Sequence, residues 1–208
     1  MQMLEKLAIG LLALVGSPAL AELPVVDEAH IAWLGCDYSI KVRQDSDGAP
    51  NPKPLYRISV ENESLEPGSC LWSPNRRELA TSKIPPRIKI EASHNGPVLA
   101  YSWGENIQCL GPWVRISIHN VNPSTLESSR QAKLEAWYQE DPTFEGWPRP
   151  GALYLDNLIV GSNFIQVTGD FSGNRISYAP NPVTGTHFVA SYPMFFEVNH
   201  SPVINTHE

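Results

Sequence analysis

Apolar and polar residues alternate with a period of two along much of this chain. Tyr38, Ile40 and Val42 alternate with Ser39, Lys41 and Arg43, and Tyr56, Ile58 and Val60 with Arg57, Ser59 and Glu61. Ile88 and Ile90 sit among Arg87, Lys89 and Glu91, and Val114, Ile116 and Ile118 among Arg115, Ser117 and His119. Successive side chains of a strand point to opposite faces, so each run predicts a strand with one face on a core and one in water. Further β-favouring runs lie at 98–103, 152–160, 163–168, 175–179, 186–192 and 194–199, and the stretch 169–174 predicts a hairpin loop. Ser124 and Glu127 have capping-box spacing, which predicts a helical turn over 124–130 ahead of a strand over 132–139.

About ten short strands with little helix predict an all-β fold, an antiparallel β-sandwich of the jelly-roll or immunoglobulin-like kind. A closed β-barrel around an internal cavity is the alternative. If the strands over 31–43, 55–61, 87–92 and onward each reverse direction, the loops 62–86, 104–112, 140–151 and 169–174 emerge together. That end would gather Cys70, Trp72, Glu105, Cys109, Glu140, Asp141, Glu145, Trp147, Arg149 and Asp170, with Trp103 and Trp113 beside them.

The first 21 residues break the alternation. Lys6 closes a short charged region, 7–16 is apolar, and Ala19-Leu20-Ala21 has the small-x-small pattern of a cleavage site. An apolar run of that length is too short for a membrane span, which needs about 20 residues. Residues 1–21 therefore read as a signal peptide, and 22–208 as one secreted β-sandwich domain. The formal net charge of −7, with no basic stripe, argues against nucleic acid or a membrane as partner. In an oxidising compartment the three cysteines allow one bridge. The loop grouping assigns it to Cys70 and Cys109, with Cys36 buried and free.

Motifs for known chemistry are few. No G-x-S-x-G elbow is present, and the six histidines have no metal-ligand spacing, so neither a metal nor another cofactor is implied. Asp45-Ser46-Asp47-Gly48 begins like a calcium loop but lacks its later ligands and reads as a turn. Asn62-Glu63-Ser64 and Asn199-His200-Ser201 are glycosylation sequons. The tryptophans carry more: aromatic rings with a polar edge recur at recognition surfaces. Trp72, Trp103, Trp113 and Trp147, with Glu105 and Glu145, are the candidate ligand-binding residues. The expected function is binding of an extracellular ligand, a glycan or a protein surface, through this aromatic loop end. The alternative is a secreted enzyme: a polysaccharide hydrolase or lyase using a loop carboxylate pair, or a barrel that converts a small molecule.

The export reading makes a direct prediction. Mass spectrometry of material secreted by the native host should find a chain beginning at Glu22 or within a few residues of it. An intact Met1 terminus on that material would refute it.

Overall fold

The computed structural model describes residues 22–139, 148–179, 181–194 and 201–208, and over these the protein is all-β. The strands are β1 (Val25–Trp33), β2 (Cys36–Ser46), β3 (Pro54–Ser64), β4 (Asn75–Ser82), β5 (Ile88–Ser93), β6 (Gly96–Ile107), β7 (Gly111–Val121) and β8 (Ser128–Leu134). They continue with β9 (Ala136–Tyr138), β10 (Arg149–Pro150), β11 (Ala152–Val160), β12 (Phe164–Ser172), β13 (Arg175–Ile176), β14 (His187–Pro193) and β15 (Val203–His207). β1-β2-β3-β4 form one antiparallel sheet, and β15-β14-β12-β11-β7-β6-β5 a second, larger one, with β8 on the free flank of β7. A small third sheet joins β10, β9 and β13. The sheets are open, so the sandwich expectation holds and the closed barrel does not.

Two apolar cores lie on opposite faces of the larger sheet. Val98 and Ala100 of β6, with Ile116 and Ile118 of β7, pack against Leu153, Leu155, Ile165, Val167 and Phe188. Leu99 and Tyr101 face the other way, onto Tyr38, Ile40, Ile58, Val60, Ile88 and Ile90. Residues 96–102 of β6 are consequently all buried. A run apolar on both faces is what a strand covered on both sides requires.

The chain departs from its expected course in four places. The run 31–43 is a hairpin rather than one strand: Leu34 (φ 47°) and Gly35 (φ 76°) both adopt the left-handed conformation, and Trp33 pairs with Cys36. Two central residues at positive φ define the tight turn whose twist matches a β-hairpin. The polar stretch 75–82, expected as loop, is the edge strand β4. At 122–127 the chain makes a turn, not a helix. Asn122 Oδ1 accepts from the Ser124 N–H at 2.9 Å and the Ser124 hydroxyl at 2.8 Å, and Leu126 (φ 58°) plugs into the core. Nor is 169–174 a hairpin loop: β12 runs through Ser172, and β13 pairs with β9.

The unexpected β4 overturns the cysteine assignment. It carries the chain the length of the sheet between Cys70 and the β6–β7 turn that holds Cys109, so these two lie at opposite ends. The bridge is Cys36–Cys70, and Cys109 is free and exposed rather than bonded. The Cys70 loop is further fastened to the Leu34–Gly35 turn: Ser69 Oγ donates to the Gly35 carbonyl at 2.6 Å, and the Leu65 N–H at 3.2 Å. A side chain at Gly35 would collide with the Ser69 carbonyl oxygen, so the turn needs glycine for space as well as for φ.

Asn62, the acceptor of the first glycosylation sequon, is buried. Its Oδ1 accepts from the Asn75 N–H at 2.7 Å, and its Nδ2 donates to the Ser73 carbonyl at 3.4 Å. The folded chain uses this amide to tie β3 to the start of β4. Asn199 lies outside the described residues, as does most of the run 194–199.

Removing the bridge should be costly. Closing a loop of 34 residues contributes about 3–4 kcal/mol through the unfolded chain. Cys70→Ala should lower the denaturation free energy by that order, whereas Cys109→Ala should leave it within about 0.5 kcal/mol. Peptide mapping should join Cys36 to Cys70 and find Cys109 alkylated; a peptide joining Cys109 to either would contradict the assignment.

A candidate binding groove beside Trp103

The four-stranded sheet lies across β5 and β6 and stops short of β7 and β8. The faces of these strands that point the same way as Leu99 and Tyr101 therefore form a ledge beyond β4. Cross-strand pairing places Leu99 opposite His119, Tyr101 opposite Ser117, and Trp103 opposite Arg115. β8 adds Lys133 opposite Ser117 and Gln131 opposite His119. Leu79, Ala80 and Thr81 of β4 form the facing wall of a groove of about 550 Å³, and Tyr178 closes one side. Alternation predicts that Arg115, Ser117 and His119 face water. Ser117 and His119 are instead buried and Arg115 is half-buried.

His119 is held by both ring nitrogens. Nε2 lies 3.0 Å from the Tyr101 hydroxyl, and Nδ1 2.7 Å from Ser128 Oγ. Ser128 Oγ donates to the Arg130 carbonyl at 3.1 Å and so accepts from Nδ1–H. This leaves Nε2 as acceptor for the Tyr101 O–H, which fixes one neutral tautomer. Burial holds the His119 pKa down at about 4 and pushes the Tyr101 hydroxyl up to about 12. Both therefore stay uncharged at neutral pH, as a polar but neutral floor.

At the other end of the groove a cation sits between two indoles. The Arg115 guanidinium carbon is 4.6 Å from the Trp103 ring centroid and 3.5 Å from that of Trp113. Trp113 and Arg115 are two apart on one strand, and Trp103 faces Arg115 across the pair, so β geometry alone assembles the three. Burial lowers the Arg115 pKa, and Glu135 opposes that shift from 3.6 Å, a separation too long for a hydrogen bond. Trp103 Nε1 donates to Ser117 Oγ at 2.8 Å, which sets the orientation of the ring forming the groove's end wall.

The expected site residues divide accordingly. Trp103, Trp113 and Glu105 do come together: Glu105 pairs with Trp113 across the strands and takes an ion pair from Lys83 at 3.1 Å. Trp72 does not join them. It stacks on Trp33 at 5.8 Å, beside the Cys36–Cys70 bridge. Trp103 lies toward the opposite end of the sandwich, where Ser82 Oγ donates to the Gly104 carbonyl at 3.1 Å. Asn75 and Ser82 are seven positions apart along β4, which separates the two ends by roughly 20 Å at the rise of a strand. Trp147 and Glu145 lie outside the described residues, as do Glu140 and Asp141. Sequence reasoning missed Arg115, Ser117, His119, Gln131 and Lys133. Arg115, Ser117 and His119 share the parity of Trp113 on β7, which is the signal that marks them, whereas Gln131 and Lys133 join only through their pairing with His119 and Ser117.

Among the described residues no group of three or more histidine, cysteine or acidic side chains is placed to hold a metal ion. No described helix is long and apolar enough to cross a membrane. Comparison with known proteins found no matching family, no matching curated protein and no matching solved structure.

The buried histidine couples folding to pH. Its native pKa lies below the unfolded value of 6.5, so between about pH 6.5 and 4 the unfolded chain binds the proton more readily. The stability His119 contributes is full above pH 6.5 and is lost as the pH falls toward 4. Denaturant melts at pH 7 and pH 4.5 should show wild type losing on the order of 2–3 kcal/mol more than His119→Gln. Equal losses in the two proteins would contradict the burial of a neutral imidazole.

Proposed function

We propose that this is an exported binding protein that captures an extracellular ligand, a glycan or a segment of a protein surface, in the groove beside Trp103. The observation that carries the reading is the composition of that groove. One ring face, Trp103, stands at the end of a floor and rim that offer hydroxyl, amide and ammonium groups from Ser117, Thr81, Gln131 and Lys133. Ligand sites commonly combine an apolar or aromatic surface with a few placed polar groups in a concavity of about 300–1,000 Å³. The export half of the reading rests on the signal-like residues 1–21 and gains support from the Cys36–Cys70 disulfide, since such bonds persist in oxidising compartments.

The enzyme alternative draws less support. Glycoside hydrolysis requires a carboxyl pair across the bond, and the described groove lining offers rings, hydroxyls, an amide and an ammonium instead. His119 already has both nitrogens engaged within the fold, which suits a structural floor better than a catalytic base. The open sheets remove the enclosed barrel cavity that small-molecule conversion would use.

The test contrasts two tryptophans at opposite ends. Exported wild type, Trp103→Ala and Trp72→Ala are probed on glycan and peptide arrays, with melts run alongside. Trp103→Ala should lose about tenfold or more in signal on whatever wild type binds, and Trp72→Ala should retain it. Trp72→Ala should instead be the less stable protein, because its ring packs on Trp33 and the disulfide loop. Binding that ignores Trp103, or is lost equally in both variants, would overturn the assignment.

A further inference from the structure

The facing wall of the Trp103 groove is a strand edge, and β8 in its floor has a free edge as well. Among the described residues β4 is last in its sheet and pairs only with β3, while β8 pairs only with β7. Among the described residues, the backbone of Leu79, Ala80 and Thr81 makes no backbone hydrogen bond away from β3, and that of Gln131, Ala132 and Lys133 none away from β7. Each edge therefore presents a row of backbone donors and acceptors with no described strand opposite. Such a row is a template for a further strand.

The edge of β4 is guarded unevenly. Charged side chains discourage strand addition, and β4 concentrates its own at Arg76, Arg77 and Glu78. These are tied to neighbours: Arg76 to Glu61 at 3.3 Å, Arg77 to Glu127 at 3.0 Å, and Glu78 to Arg57 at 3.4 Å. The uncharged stretch begins at Leu79, where β4 bulges against β3, and runs on in regular pairing over Ala80, Thr81 and Ser82 beside the groove. Beyond it lies the ledge of β7 and β8 that the four-stranded sheet leaves uncovered. Strands in a sheet lie about 4.8 Å apart, so one more beside β4 would lie over Ser117, His119, Gln131 and Lys133.

We infer that the ligand of this groove is an extended polypeptide segment of a partner protein, added to β4 as a fifth strand. The inference rests on reading the groove as the ligand site and names the ligand class within it. A polypeptide is favoured over a sugar because its backbone repeats donors and acceptors at the spacing of the regular β4 edge past the Leu79 bulge, which sugar hydroxyls do not. Alternate side chains of the segment would face the floor. Small hydroxyl or amide residues suit Ser117 and Gln131, and an apolar or aromatic residue suits the face of Trp103.

The probe is a random dodecapeptide display library selected against the exported protein, with the best peptide resynthesised carrying one N-methyl group at each position in turn. Strand addition uses every second amide. Methylation should therefore weaken binding on the order of tenfold at alternate positions and change it little between them. The bound peptide should slow amide exchange at 79–81, and Trp103→Ala should weaken it by a similar factor. Uniform tolerance of N-methylation, unchanged exchange at 79–81, or a library that yields no Trp103-dependent peptide would overturn the inference. If an oligosaccharide then binds in a Trp103-dependent way, strand addition falls and the groove assignment stands. If neither ligand depends on Trp103, both fall.

Discussion

The burial of β6 on both faces is the constraint from which the rest of the structure follows. Val98 and Ala100 close one core, and Leu99 and Tyr101 the other, each at 2 % exposure or less. A strand so placed has no solvent face on which to alternate, and each face must be covered. The four-stranded sheet covers one face, and β11, β12 and β14, the far strands of its own sheet, the other. Fully burying a Val or Leu contributes about 1.5–3 kcal/mol, so this short segment alone links two cores that would otherwise be independent.

The groove is a consequence of unequal sheet widths around that strand. Four strands cover β5 and β6 but leave the ledge of β7 and β8, whose polar faces would have nothing to pack on in an apolar core. The sequence places neutral hydrogen-bonding groups there, satisfied locally by Tyr101, Ser128 and Trp103, together with a cation clamped by two indoles. A buried polar group without partners costs about 1–3 kcal/mol, which explains the cross-links among Tyr101, Trp103, Ser117, His119 and Ser128, while Arg115 Nε is left without a hydrogen bond. The same cross-linking holds Trp103 upright as the end wall of the groove.

Much of this architecture was legible in the sequence, and the exceptions have identifiable physics. The core faces of β2, β3, β5 and β7 follow from simple alternation. The hairpin at Leu34–Gly35 was hidden because its first turn residue is leucine, where asparagine or aspartate is usual. A quieter signal was present: the apolar parity changes from odd at Ile31 and Trp33 to even at Tyr38 and Ile40, which a continuous strand does not allow. β4 was hidden for the opposite reason. As an edge strand it carries Arg76, Arg77 and Glu78 where an interior strand would be apolar, and so it reads as loop. Missing it reversed the end to which the Cys70 loop belongs and paired the wrong cysteines. The Trp103–Arg115–Trp113 cluster needed the register Ile107 to Gly111, which no one-dimensional pattern supplies.

If β6 joins the two cores as described, neither can open without the other. Native-state hydrogen exchange across a denaturant series tests this directly. The account predicts that the amides of residues 98–101 exchange only through global unfolding. Those of Ile58 and Val60 in one core, and of Ile165 and Val167 in the other, should converge on the same unfolding isotherm. Two separate isotherms, with one core's amides exchanging at a distinctly lower free energy while the other's remain protected, would contradict it.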